Sequence, residues 1–158
     1  MPGQARILAV GTTDVGRKRT HNEDFFALVE AEHLYLVADG MGGHSSGEVA
    51  SQMAINTLSE FFQATSADPE ATWPYKMDKT RGYEENRLVT GIKLANRRIY
   101  EAAQREQRLH GMGTTIVALL CVHDQCLIGH ARDPRVYPLR GNNTEHLTEA
   151  HSLLNDYL

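Results

Sequence analysis

The alternation of apolar and polar positions predicts strands towards both ends of the chain and two helices between them. Short runs rich in β-branched or aromatic residues, bounded by turn residues, are typical of strands. Two such runs, residues 25–30 and 33–38, are separated by only two residues and therefore predict a hairpin. The predicted strands are 5–13, 25–30, 33–38, 114–122, 125–131, 135–139 and 145–147.

The first helix is predicted by a start signal and by an apolar face. Ser45 and Glu48 form a capping box, which satisfies free backbone N–H groups at a helix start. Residues 63–83 then lose periodicity and predict a long loop, in which Trp73 and Tyr75 form either a hydrophobic anchor or a flap facing a substrate. The expected buried side of the first helix comprises Val49, Met53, Leu58, Phe61 and Phe62.

The second helix is predicted over residues 84–108. Its apolar positions recur at spacings of four, three, four and three, which places them on one face. They are Leu88, Ile92, Ala95, Ile99 and Ala102. Along the chain, strands are followed by two helices and then by further strands. This order predicts an α+β fold, in which both helices pack on one side of an antiparallel sheet.

Composition and charge narrow the class of protein. With 158 residues, of which 41% are hydrophobic and 23% charged, the chain predicts a single globular domain over residues 1–158. Its net charge of -4 argues against nucleic acid as a partner, since proteins that bind nucleic acid usually carry a positive field. No run approaches the ~20 apolar residues that a membrane helix needs, and the start lacks a secretory signal. We therefore expect a cytoplasmic protein without a membrane partner.

The two cysteines, Cys121 and Cys126, are too few for a disulfide framework and match no common zinc signature. We expect them to be reduced thiols in the core. Because they lie on the two arms of a predicted hairpin, a disulfide between them is geometrically possible.

A cation and two carboxylates precede the second predicted strand. Arg19 offers a planar guanidinium that suits a phosphate group, and Glu23 and Asp24 offer oxygen ligands for a hard cation or its bound waters. By itself, such a cluster is more typical of a solvated turn with a local ion pair.

Asp39 ends an apolar strand and is followed by a glycine-rich segment, residues 40–43. A carboxylate at the end of a buried strand is held rigidly, and glycines let the backbone approach a ligand closely. Neither common phosphate loop fits, because the lysine of a P-loop is missing and Ser45 replaces the last glycine of G-x-G-x-x-G. The alternative is a glycine-rich turn with an incidental aspartate.

Three further segments follow in order: Gly-Thr-Thr at 113–115, Arg-Asp-Pro-Arg at 132–135 and Leu-Thr-Glu-Ala-His-Ser at 147–152. With residues 19–24 and 39–43, they resemble the ordered motifs of the metal-dependent protein serine/threonine phosphatases of type 2C, bacterial branch. The resemblance implies a four-layer αββα sandwich, in which two stacked antiparallel sheets are flanked by helix pairs.

The resemblance also implies a reaction. Phosphoserine or phosphothreonine in proteins would be hydrolysed by water that two divalent cations, Mn²⁺ or Mg²⁺, activate, and the partners would be phosphorylated proteins and a cognate kinase. Asp39 would bridge the two cations, and the Gly40 carbonyl would bind one of them. Glu23 and Asp24 would hold metal-bound waters, and Arg19 would grip the phosphate.

A possible third cation would bind Asp133, although the segment around it departs from the family motif. Arg132 replaces a glycine and Pro134 replaces a serine, while Met41 stands where some members have a proton-donating histidine. Two further metal-binding aspartates that the resemblance implies are not in this sequence. We therefore expect a C-terminally truncated domain that is a weak phosphatase or none by itself; the alternative is a non-catalytic module that binds a phosphoprotein, a kinase or a second chain.

Overall fold

The computed structural model describes residues 6–43, 46–132, 137, 139–140 and 143–144. The strands are β1 Asp24–Val29, β2 Leu34–Met41, β3 Gly113–Thr114, β4 Ile116–Val122, β5 Gln125–Ala131, β6 Leu139–Arg140 and β7 Asn143–Thr144. The helices are α1 Ser46–Ala67 and α2 Tyr83–Arg105, and short 3₁₀ turns occur at Glu30–Glu32 and Gln107–Leu109. Neither long helix in the described part combines the length and apolar character needed to cross a membrane.

An antiparallel sheet organises the described residues. Its strands follow the order β1-β2-β4-β5, β3 pairs with the end of β2, and β6 pairs separately with β7. The β1–β2 hairpin is confirmed, with Val29 opposite Leu34 and Asp24 opposite Asp39. Its connection is a 3₁₀ turn that ends at His33 in the left-handed conformation, with a φ of 51°.

One face of the sheet is covered by both helices, as predicted. Along β2, buried Leu34, Leu36 and Ala38 alternate with the more exposed positions of the opposite face. Gly129 of β5 leaves room for α2, because a Cβ there would lie 2.8 Å from Ile92 Cδ1. Gly91 likewise lets the helices approach each other, since its Cβ would lie 2.7 Å from Leu58 Cδ2. The α+β class is therefore confirmed, and the described residues build one helix layer and one sheet of the expected sandwich.

The predicted helix faces agree with the structure in α2 and in part of α1. All five apolar positions predicted for α2 are buried, as are Leu58, Phe61 and Phe62 of α1. Val49 and Met53 are only partly buried, whereas three small residues of α1, namely Ala50, Ser51 and Ala54, are almost fully buried. Close approach of a helix to a sheet favours such small side chains.

The predicted strand at 5–13 is wrong for residues 6–13, which belong to no strand. A strand needs a neighbour for its backbone hydrogen bonds, and the strand pairs among the described residues do not include this segment. Residues 7–13 instead line a cleft of about 890 Å³ on the uncovered face of the sheet, with Phe26, Tyr35 and Val37 opposite them. The Leu8 and Val10 side chains remain 80% and 95% exposed.

The loop between the helices is shorter than predicted and is anchored by its tryptophan. It occupies residues 68–82, because α1 continues to Ala67, and α2 ends at Arg105 rather than at 108. The Trp73 ring lies 5.6 Å from that of Phe61 and 5.2 Å from that of Tyr83. These contacts agree with the predicted hydrophobic anchor. The capping residue Ser45, the predicted strand 145–147 and most of 135–139 lie outside the described residues.

A buried arginine, which no local sequence pattern predicts, connects the hairpin turn to both helices. Arg87 Nη2 lies 3.1 Å from Glu32 Oε2 and donates to the Phe62 carbonyl at 2.6 Å, while Nε donates to Thr65 Oγ1 at 2.8 Å. The guanidinium also lies 4.3 Å from the Phe62 ring centre. Its charge thus sits near the C-terminal end of α1, where the helix dipole favours a cation.

Replacing this arginine by an uncharged side chain of similar length tests its contribution. We expect Arg87→Met to lower the free energy of unfolding by about 3 kcal/mol, because it removes the cation that is paired with the partly buried Glu32 carboxylate, which then keeps only the hydrogen bond from Ser66. Urea denaturation measures the change. The matched control is Arg97→Met on the same helix, whose exposed pair with Glu101 should be worth at most about 0.5 kcal/mol. Equal losses in the two variants would contradict this role.

Candidate functional site

Two carboxylates face each other at one end of the β1–β2 hairpin. Asp24 and Asp39 are directly paired in the strand register, and both line the cleft on the uncovered face of the sheet. Burial raises the pKa of the Asp24 carboxyl above its usual value, and the contact with Asp39 and its negative charge raise it further. The positive charge of Arg19 acts in the opposite direction, and Glu23 adds to the rise. The structure therefore pairs Asp24 with Asp39, and the charges of Arg19 and Glu23 act on Asp24 from outside this pair.

An oxygen of Asp24 is left without a partner. Asp24 Oδ1 is buried and accepts no hydrogen bond. A buried carboxylate oxygen in this condition is costly unless a donor or a cation compensates it. The site thus has the hard oxygen atoms and the excess negative charge that Mg²⁺ or Mn²⁺ prefers.

The backbone of Asp39 is held from two sides by Thr115. The Asp39 amide donates to Thr115 Oγ1 at 3.1 Å, and the Thr115 amide donates to the Asp39 carbonyl at 2.8 Å. The Gly-Thr-Thr segment singled out in the sequence therefore contributes by fixing the strand end that carries Asp39. The other two residues of this segment form β3, in which Thr114 pairs with Gly40 and Gly113 pairs with Met41. They hold the end of β2 beyond Asp39.

Gly40 is required by a close approach of three backbone segments. Its amide donates to the Glu23 carbonyl at 3.1 Å, and a Cβ at this position would overlap the Gly47 carbonyl oxygen at the start of α1. The Glu23 carbonyl also accepts a hydrogen bond from the buried Ser51 hydroxyl at 2.6 Å. Ser51 is a positioning residue that the sequence did not predict, since its only sequence signal is a polar residue on the buried face of a helix.

The Glu23 carboxylate lies against the first turn of α1. A Cβ placed on Gly47 would be 2.7 Å from Glu23 Oε1 and 2.9 Å from the Met41 amide nitrogen. Negative charge at a helix N-terminus is favourable, because the free N–H groups there carry partial positive charge. The glycine at position 47 therefore makes room for a carboxylate beside the site.

Arg132, which replaces a glycine of the family motif, takes a backbone conformation that favours glycine. Its φ is 62°, in the left-handed region. The guanidinium reaches back over the sheet end, where Nη1 donates to Met41 Sδ at 3.4 Å. Asp133, predicted to bind a third cation, lies outside the described residues, as does Pro134.

The described side chains alone do not form a multidentate metal cage. In this part of the chain, no group of three or more histidine, cysteine, aspartate or glutamate side chains is arranged to hold a metal ion. Asp39 with the Gly40 carbonyl could bind one cation directly, and Asp24 could hold part of the water that completes its coordination.

Comparison with known proteins places these features in a family context. The sequence matches the protein phosphatase 2C family over residues 13–154. Serine/threonine phosphatase Stp of Listeria welshimeri is 38% identical over 153 residues, which cover 92% of this chain and 55% of the relative. Protein phosphatase PhpP of Streptococcus pneumoniae is 32% identical over 149 residues, covering 92% and 56% of the two chains.

A solved structure has the same fold and contains metal. It is the catalytic domain of the serine/threonine protein phosphatase PstP in complex with two manganese ions. The TM-score is 0.67 at 32% sequence identity, and the match covers 85% of this chain and 52% of that one. The chain therefore spans about half the length of the relatives that it matches.

The close approach at Gly40 predicts that adding a single methyl group there strongly lowers the stability of the fold. We expect Gly40→Ala to lower the free energy of unfolding by about 3 kcal/mol or more, because the atoms in the way belong to backbone and cannot move aside. Thermal and urea unfolding measure the effect. Gly43→Ala is the control, since a Cβ there has nothing within 4 Å and should cost little. Similar stabilities of the two variants would show that the backbone around Gly40 has room to relax.

The raised pKa of Asp24 predicts a dependence of stability on pH. Because the folded chain holds the Asp24 proton more tightly than the unfolded chain does, ionisation of this group costs stability as the pH rises above its usual pKa near 4. In the presence of a chelator, Asp24→Asn should therefore be more stable than the wild type at pH 7, and the difference should vanish near pH 3. Urea denaturation at several pH values checks this.

The control for this pH series is Asp124→Asn, which changes an exposed carboxylate in the turn between β4 and β5. It should shift stability little at any pH. A variant at position 24 that is no more stable than the wild type at neutral pH would contradict the raised pKa of Asp24.

Proposed function

Because this chain belongs to the protein phosphatase 2C family, we propose that it carries part of the active site of a metal-dependent protein serine/threonine phosphatase. The observation that carries the proposal is the pairing of Asp24 with Asp39 across β1 and β2, with the Arg19 and Glu23 charges acting on the same group. Proposed substrates are phosphoserine and phosphothreonine in proteins, and a kinase that phosphorylates the same proteins is the proposed partner.

The acidic residues are proposed to hold divalent cations. Asp39 and the Gly40 carbonyl would bind metal directly, while Glu23 and Asp24 would hold water ligands. Such cations, when bound, neutralise negative charge and lower the pKa of water, so that it can attack a phosphate ester at neutral pH. Either Mn²⁺ or Mg²⁺ suits these oxygen donors. The proposed third site at Asp133 depends on residues outside the described part.

Arg19 is proposed to orient the phosphate group. Its charge partly offsets the rise in the pKa of Asp24, which supports a location near the carboxylate pair. A guanidinium can donate two parallel hydrogen bonds to phosphate oxygens, and its charge offsets that of the ester. Met41 has no proton to give, so the leaving alkoxide would be protonated by water or by another group.

Activity of this chain by itself is proposed to be weak. The relatives that share the family are about twice its length. Among the described residues, Asp39 is the one carboxylate proposed to bind metal directly, whereas two dications bring four positive charges. Further carboxylate ligands would therefore be needed for a stable two-metal site.

A second candidate function is a non-catalytic module that binds a phosphoprotein, a kinase or a second chain. The position of Arg132 favours it, because the guanidinium contacts Met41 beside the proposed metal site instead of leaving the open position of a glycine. Such a module would keep the phosphate-binding charges without hydrolysing the ester.

Calorimetric titration with Mn²⁺, followed by hydrolysis of p-nitrophenyl phosphate, tests the proposal. We expect the wild type to bind Mn²⁺ and Asp39→Asn to bind it at least about tenfold more weakly, with loss of any hydrolysis. The control Asp124→Asn, in the exposed turn between β4 and β5, should behave as the wild type. Equal Mn²⁺ affinity in all three proteins would refute the assignment of Asp39, and tight binding without hydrolysis would favour the non-catalytic module.

A further inference from the structure

The hairpin formed by β4 and β5 places the two cysteines opposite each other. Val122 and Gln125 close a two-residue turn, in which His123 has a φ of 55°. The next pair in the register is Cys121 opposite Cys126. The two sulfur atoms lie 3.2 Å apart, in hydrogen-bonding contact as free thiols. The expectation that both thiols lie in the core is therefore wrong, since Cys126 is exposed and Cys121 is only partly buried.

The backbone bonding shows which type of cross-strand pair this is. The Cys121 amide points away from β5 and donates to the His33 carbonyl at 3.0 Å. In an antiparallel sheet, a residue whose amide bonds one neighbour forms a non-hydrogen-bonded pair with the other, and such pairs bring the Cα atoms to ~4.5 Å. That separation falls within the range of ~4.4–6.8 Å that a disulfide spans. The thiols can thus be joined without moving the strands.

The two thiols differ in access and in acidity. Burial raises the pKa of Cys121 to about 12, and the hydrogen bond and charge of Cys126 contribute to the rise. A thiol with so high a pKa rarely ionises at neutral pH and is a poor first nucleophile. The exposed Cys126 sulfur is the one that a small molecule can reach, and Cys121 lies in contact behind it.

From this geometry, we propose that Cys121 and Cys126 are a redox modification site that exchanges with low-molecular-weight disulfides such as oxidised glutathione. Cys126, after loss of its proton, attacks one sulfur of the small disulfide; a new S–S bond forms, and one small thiol leaves with that proton. The Cys121 sulfur then attacks Cys126, and the second small thiol leaves with the Cys121 proton. Two protein thiols are oxidised to one disulfide, and one small disulfide is reduced to two thiols.

This site is distant from the carboxylate pair, although Cys121 lines the same cleft as Asp24 and Asp39. His33, beside Cys121, directly precedes β2 and lies six positions before Asp39, which corresponds to about 20 Å along an extended strand. The inference therefore does not rest on the proposed phosphatase function. Because the chain contains only these two cysteines, every change in thiol content can be assigned to this pair.

Incubation of the reduced, full chain with oxidised glutathione, followed by acid quenching and mass spectrometry, tests the proposal. We expect the folded wild type to lose two hydrogens in an intramolecular disulfide and to release two equivalents of glutathione per chain, with little mixed disulfide remaining. The ratio of disulfide to mixed disulfide should fall at least about tenfold in denaturant, because the hairpin sets the effective concentration of the second thiol. An unchanged ratio would refute a folded dithiol site.

Single variants assign the order of attack. Cys121→Ser should accumulate the mixed disulfide at Cys126, because nothing displaces the bound glutathione. Cys126→Ser should react at least about tenfold more slowly, because Cys121 is less accessible and less acidic. Equal reaction rates for the two variants, or a wild type that retains both free thiols in excess oxidised glutathione, would overturn the proposal.

Discussion

Two carboxylates that face each other across neighbouring strands repel, and a fold keeps such a pair only where neighbouring groups offset the repulsion. Asp24 and Asp39 are held in this arrangement by the register of β1 and β2, which the buried residues of β2 and the turn at Glu30–Glu32 specify. A shift by one residue would move the apolar side chains of β2 to the uncovered face. The hydrophobic core on the helix side therefore fixes the distance between the two charges on the other side.

Backbone contacts transmit this constraint from the core to the site. The Glu23 carbonyl accepts hydrogen bonds from Gly40 on β2 and from Ser51 on α1, so the two strands and the helix meet at one oxygen atom. Thr115 forms hydrogen bonds with both the amide and the carbonyl of Asp39. Side chains on such a frame lose little further conformational entropy when a ligand binds, which is the advantage of preorganisation.

Much of this arrangement could be predicted from the sequence, because periodicity reports which faces are buried. The α2 face, the β1–β2 hairpin and the order of the charged segments along the chain are local patterns. The Arg87 cluster was not predictable, since its partners Glu32, Phe62 and Thr65 come from distant positions and meet only through packing. The strand prediction for residues 6–13 was wrong for a related reason. An apolar run has strand propensity, but whether it forms a strand depends on a sheet edge with which it can pair.

One end of the sheet carries carboxylates and the other carries the cysteine pair, and both groups lie at strand ends for the same structural reason. Residues at the strand ends need not be apolar, because the helices cover only the centre of one sheet face. The turns lie outside this covered area. At one end, glycine at positions 40 and 47 allows three backbone segments to converge and leaves carboxylates beside the first turn of α1. At the other end, a tight turn brings Cys121 and Cys126 into contact near the His33 carbonyl. Polar and reactive groups can thus occupy both ends without weakening the packed centre, so changes at either end should act locally unless they disturb the β2 register that both share.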